Sequence, residues 1–87
     1  MKIKDGFVLR EVGDNFIVVA VGEGIKTFNG MIQLNDTGAL LWKLLEKGAN
    51  EQELVTAMLK EYNVTKEVAE SDVKEFIESL KEANLLV

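Results

Sequence analysis

The chain contains no cysteine and no histidine. The first absence excludes disulfides, thiolate metal sites and cysteine nucleophiles, and it fits a reducing compartment. The second removes the commonest general base and the commonest metal ligand. Arginine occurs once, as Arg10. Long apolar runs are missing too: the longest, Phe16 to Val21, falls far short of the roughly 20 residues a membrane-spanning helix needs. The lysines near the N-terminus are not followed by the apolar stretch of an export signal. These absences predict a cytoplasmic protein without a membrane partner.

What is present is an 87-residue chain, 47% hydrophobic and 29% charged. That composition is globular, and the length predicts a single domain over residues 1–87 with a core of modest size. The formal net charge is −5, and it is unevenly placed. Residues 1–34 carry four charges of each sign, whereas residues 35–87 carry six lysines against eleven acidic side chains. The second half therefore repels phosphate backbones and anionic lipid.

The residue pattern predicts strands first and helices after. Phe7 to Val12 alternates loosely and reads as a strand, closed by turn chemistry at Gly13-Asp14-Asn15. Phe16 to Val21 is β-branched and apolar at odd and even positions alike, the pattern of a central strand covered on both sides. After the break at Gly22-Glu23-Gly24, Ile25 to Phe28 reads as a short fourth strand or as loop, and Asn29-Gly30 suits a type I′ turn. Met31 to Leu34 is the last strand.

The first predicted helix opens at Asn35 as N-cap, with Asp36 favourably placed in its first turn and Leu40, Leu41, Leu44 and Leu45 as its apolar stripe. Gly48 is expected to end it as a left-handed cap. Asn50 and Glu53 suggest a capping box for the second helix, whose buried side reads as Leu54, Val55, Met58, Leu59 and Tyr62. Thr65 caps a third helix over Lys66 to Ala83 with a stripe of Ala69, Val73, Phe76, Ile77 and Leu80, and the apolar tail Leu85-Leu86-Val87 is expected to dock on the sheet or the core. The expected fold class is α+β and winged-helix-like: a small antiparallel sheet of three or four strands followed by three helices.

Several chemistries are weighed and set aside. The carboxylates mostly occupy water-facing helical positions with no partnering base or nucleophile. Nothing matches an oxygen-only calcium loop, and Gly22-Glu23-Gly24 lacks the lysine of a phosphate loop. No metal, cofactor or catalytic residue is expected. A winged helix often presents its third helix to DNA, but Lys66 to Ala83 holds three lysines against six acidic residues. Counterion release requires several phosphate-facing cations, so a nucleic-acid partner is not expected.

Three features carry more. Trp42 reads as a core-edge residue in preference to a partner anchor. Phe76 and Ile77 lie on opposite margins of the third helix's stripe, which makes either a broad core contact or one margin of a groove beside the last strand. Met31 to Leu34, if it lies at the sheet edge, exposes unpaired main-chain groups; such an edge is either short and protected or a template for strand addition by a peptide. It is also compatible with a monomer or a weak homodimer.

The run Gly30-Met31-Ile32-Gln33-Leu34-Asn35, followed by Thr37-Gly38-Ala39 and Trp42, resembles the strand-to-helix junction G-M-x-x-L-N-x-[ST]-[GA]-A of the PqqD-like family. The likeness continues through Lys47-Gly48, Asp72-Val73, Phe76, Leu80 and Asn84-Leu85-Leu86. Members of that family, also called RiPP recognition elements, are non-catalytic. The resemblance implies that the chain binds the leader of a ribosomally made precursor peptide and presents it to a modifying enzyme, often a radical-SAM protein. Carried over by position, the leader pairs with Met31, Ile32, Gln33 and Leu34 and rests in a cleft drawing on Asp72, Val73, Phe76, Ile77 and Leu80. An acidic winged-helix module that docks other proteins in transcription or regulation is the alternative reading.

Overall fold

A computed structural model describes residues 1–27 and 30–87. Strands β1 (Phe7–Val12), β2 (Asn15–Ala20) and β3 (Met31–Leu34) form an antiparallel sheet in the order β1-β2-β3. A helical turn, α1 (Gly24–Thr27), lies between β2 and β3, and helices α2 (Asp36–Lys47), α3 (Glu51–Glu61) and α4 (Lys66–Glu82) follow. The fold is α+β and winged-helix-like.

The β1–β2 hairpin turns through Gly13 and Asp14, with Val12 opposite Asn15. Gly13 has φ 62° and Asp14 is not at positive φ, the pattern of a type II′ turn with glycine first, whose twist matches the strands it joins. Alternation then sorts the sheet. Phe7, Leu9, Val18, Ala20, Ile32 and Leu34 face the helices and join the core. Val8, Arg10, Ile17, Val19, Met31 and Gln33 occupy the other face.

Two sequence expectations change here. β2 is central, but only one of its faces is covered: Val18 is buried, whereas Ile17 and Val19 are half-exposed. All the helices pack on one side, and an antiparallel sheet tolerates water on the other. Of the stretch Ile25–Phe28, read as a short strand or as loop, residues 25–27 instead belong to the helical turn α1 over Gly24–Thr27. Its cause is a close backbone crossing. Val21 N–H donates to the Gly6 carbonyl at 2.8 Å, and a Cβ on Gly24 would collide with that same carbonyl. Glycine at position 24 lets the chain leaving β2 pass under the chain entering β1, and the turn follows. Phe28, and the proposed turn at Asn29-Gly30, lie outside the described residues or adjoin them.

The helix caps form as their residue types require. Asn35 Oδ1 accepts from Gly38 N–H at 2.8 Å. Asn50 and Glu53 make a reciprocal capping box, and Thr65 Oγ1 accepts from Val68 N–H. Gly48 does end α2, at φ 98° and ψ 126°, a positive φ but outside the left-handed helical well. After α4, Asn84 takes φ 61°. Asn84 N–H donates to Lys81 O and Leu85 N–H to Leu80 O, the paired bonds of a Schellman motif. That reversal swings Leu85 into the core.

The tail docks on the N-terminal segment as well as the core. Ile3 bridges Leu86, Lys4 N–H donates to Leu85 O, and Val87 N–H donates to Lys2 O. Leu85 is buried and Val87 is exposed. Trp42 is central in the core, with none of its surface exposed, and not at its edge. Leu59 moves the other way: it is exposed, because α3 presents only Leu54, Val55 and Met58 inward. Among the described residues no helix is long and apolar enough to cross a membrane.

Candidate functional site

β3 lies at the end of the sheet, with β2 on one side and no strand on the other among the described residues. The hairpin fixes which of its main-chain groups are free. In a two-residue hairpin the closing pair exchanges both of its hydrogen bonds, and bonded pairs recur at every second position. Val12–Asn15, Arg10–Ile17 and Val8–Val19 are therefore the bonded pairs of β1 and β2. Phe16 and Val18 must then turn their N–H and C=O groups toward β3, where they meet Leu34 and Ile32. By the same alternation, Met31 and Gln33 aim their main-chain groups outward, at the open edge.

The side chains follow the opposite rule. Ile32 and Leu34 are half-buried on the helix-facing side, while Met31, 70% exposed, and Gln33 lie on the outer face. Gln33 Nε2 donates to Asn15 Oδ1 at 3.1 Å and braces the β2–β3 pair. The strand thus presents a polar main-chain edge flanked by apolar side chains on both faces.

Beyond the end of β3 a groove of about 270 Å³ runs between the start of α2 and one side of α4. Its walls are Asn35, Thr37, Gly38 and Leu41 on one side and Asp72, Glu75, Phe76 and Ser79 on the other. Gly38 sits where the groove meets the end of β3. A Cβ there would lie 3.4 Å from Phe76 Cε1, 3.4 Å from Leu34 Cβ and 3.2 Å from the capping oxygen of Asn35. Leu34 Cβ and Phe76 Cε1 thus adjoin the same point at the strand-to-helix junction, so the groove opens where the strand edge ends.

The positions singled out from sequence divide by depth. Asp72 and Phe76 line the groove. Val73, Ile77 and Leu80 do not reach it: they are buried in the core, with 0%, 5% and 3% of their surface exposed. The reason is angular. At 100° per residue, Val68, Asp72, Glu75, Phe76 and Ser79 share one face of α4, while Ala69, Val73, Ile77 and Leu80 share the adjacent one. Phe76 sits on the boundary. Glu75 and Ser79 were missed by the sequence reading although their three-residue spacing from Asp72 and Phe76 was visible. Gly38 was read only as part of the junction motif; its place beside a ring 38 positions away along the chain had no local signal.

The groove bears two carboxylates and no cationic side chain. Among the described residues neither carboxylate has a cation within salt-bridge distance. Lys43 Nζ on α2 instead lies 5.6 Å from the centroid of the Phe16 ring. No group of acidic side chains among the described residues is arranged to hold a metal ion. The arrangement offers hydrogen-bonding edge, apolar seat and negative charge, which are the elements of peptide recognition.

Known proteins share this architecture. The structure of TbiB1 in complex with the TbiA(beta) leader peptide is 30% identical to the chain with a TM-score of 0.78, and the match covers 99% of this chain and 94% of that one. A lasso peptide synthetase B1 complexed with the leader peptide shares the fold at 24% identity and a TM-score of 0.75, over 97% of this chain and 93% of its own. Comparison with curated proteins gives no match. The family model for coenzyme PQQ synthesis protein D (PqqD) matches residues 9–86, nearly the whole chain, and the protein therefore belongs to the PqqD family.

Proposed function

We propose that residues 1–87 act as one non-catalytic peptide-binding domain. It captures the leader segment of a ribosomally made precursor and presents the remainder to a modifying enzyme, with a radical-SAM protein as one candidate. On this reading it works in the cytoplasm, where such precursors are made. The observation that carries the proposal is the continuity of the open β3 edge with the Phe76 groove. An extended guest can bond to the outward main-chain groups of Met31 and Gln33 while its alternate side chains reach past Ile32 and Leu34 into the groove. The 30%-identical TbiB1 structure, which contains a leader peptide, supports the same use of this fold.

In this assignment Met31, Ile32, Gln33 and Leu34 form the template strand, and Asp72 and Phe76 touch the guest. Val73, Ile77 and Leu80 hold α4 at the right distance from behind. The energetics are adequate. Two or three apolar anchors contribute about 1.5–3 kcal/mol each when fully covered, and each strand hydrogen bond adds about 1 kcal/mol net. After the cost of ordering the guest, the surplus corresponds to an affinity of order micromolar, about −8 kcal/mol.

The test is titration of isotopically labelled protein with a synthetic peptide spanning the leader of the precursor encoded beside it. Amide exchange at Met31 and Gln33 should slow, and the Phe76 ring resonances should shift. A leader that leaves both unchanged at millimolar concentration would refute the proposal.

A further inference from the structure

We propose that Asp72 and Glu75 make this groove selective for a guest strand carrying a lysine or arginine next to its apolar anchors. The inference rests on the peptide-binding reading and adds the chemistry of the guest to it. It starts from the way α4 distributes its side chains. The face toward the groove carries Val68, Asp72, Glu75, Phe76 and Ser79 in order along the helix. Val68 is apolar and 46% exposed, one turn before Asp72 on that face, and Phe76 is half-buried one turn after it. Two apolar contacts therefore bracket two carboxylates. The three lysines of α4, at positions 66, 74 and 81, fall off this stripe at 100° per residue. On the opposite wall Asn35, Thr37, Gly38 and Leu41 add no charge.

A guest pairing with β3 sends every second side chain toward the helices. Those that reach α4 at the groove meet the Phe76 ring and the carboxylates of Asp72 and Glu75. An acidic guest residue there would be repelled by both carboxylates, and a neutral one would leave them unpartnered as water is displaced. A lysine or arginine lays its alkyl stem along Phe76 and places its charge between Asp72 and Glu75. Selectivity on this account combines attraction for the cation with exclusion of acidic guests.

The experiment is selection of a random-peptide phage library on three full-length proteins: the wild type, D72N/E75Q and E70Q/E78Q. All four residues are solvent-exposed, so both variants keep the fold. Glu70 and Glu78 lie off the groove face, and their replacement removes the same formal charge elsewhere on α4. Peptides selected on the wild type should be enriched in lysine or arginine among apolar residues. That enrichment should vanish on D72N/E75Q and persist on E70Q/E78Q. A synthetic peptide from the wild-type selection should bind D72N/E75Q about fourfold to twenty-fivefold more weakly, from roughly two- to fivefold for each exposed charge pair. Enrichment that survives in D72N/E75Q, or that falls equally in E70Q/E78Q, overturns the inference.

Amide exchange at Met31 and Gln33 separates this outcome from failure of the parent reading. Selected peptides that slow those amides without any basic preference refute the charge selectivity and leave strand addition standing. Peptides that bind without slowing them refute strand addition and the selectivity with it, as does a library that yields no binder.

Discussion

Phe76 and Trp42 show how position on a helix face decides what an aromatic ring does. Phe76 is half-buried at the border between the core and groove faces of α4, so on the proposed reading its ring divides its contacts between fold and guest. Phe76→Ala should lower leader affinity roughly tenfold to hundredfold, the equivalent of losing one apolar anchor of about 1.5–3 kcal/mol. Its stability cost should stay below the ~3–5 kcal/mol typical of a fully buried phenylalanine. Calorimetric titration together with urea unfolding would measure both, and an unchanged affinity in a folded variant would remove Phe76 from the site. Trp42 is entirely enclosed, yet its indole N–H has no acceptor among the described residues. An unpartnered buried donor costs about 1–3 kcal/mol. Trp42→Phe deletes that donor while keeping most of the ring volume, so the two effects oppose each other and the variant should unfold within about 1 kcal/mol of the wild type. Trp42→Ala keeps only the loss and should cost about 3–5 kcal/mol.

At the scale of elements, β3 is the informative case, because alternate residues of one short strand face different partners. Gln33 aims its main-chain N–H at the open edge, whereas Ile32 aims its own at β2. Proline removes that N–H and is tolerated in strands only where the lost donor faced solvent. Gln33→Pro should therefore retain the fold and abolish leader binding, while Ile32→Pro should unfold the sheet. Circular dichroism and a leader titration on the two variants would check this, and a reversed outcome would mean that the bonding phase of the strand is wrong. Several element boundaries were readable because local chemistry dictates them. Asn35 and Thr65 cap helices, Asn50 and Glu53 close a capping box, and Gly13 makes a tight turn. The helical turn at Gly24–Thr27 was not readable, since it follows from a crossing with Gly6 that no local pattern announces. The coverage of β2 misled for a related reason. Apolar residues at both parities suggested two covered faces, but the number of covering layers is a property of the assembled domain.

The whole molecule ties an open edge to a small core. The proposed site residues with surface to offer, Met31, Ile32, Gln33, Leu34, Asp72 and Phe76, were put forward from the family-like junction and helix periodicity. Separating them from the enclosed Val73, Ile77 and Leu80 required knowing the rotation of α4 about its axis, which is set by packing against α2 and α3 and not by spacing alone. A domain of this size has a stability of roughly 5–15 kcal/mol, so a guest that binds only the folded state is a large perturbation. At a hundred times its dissociation constant the leader adds about 2.7 kcal/mol. For a domain of 60–100 residues each kcal/mol moves the melting temperature by about 4–8 °C, so saturating leader should raise it by roughly 10–20 °C. A scrambled peptide should produce no comparable rise. At the same peptide concentration Phe76→Ala should shrink the shift, because it reduces occupancy, and Gln33→Pro should remove it. A wild-type melting temperature that does not move with saturating leader would mean that the guest does not distinguish folded from unfolded chain, which a ligand held by a sheet edge and a tertiary groove must do.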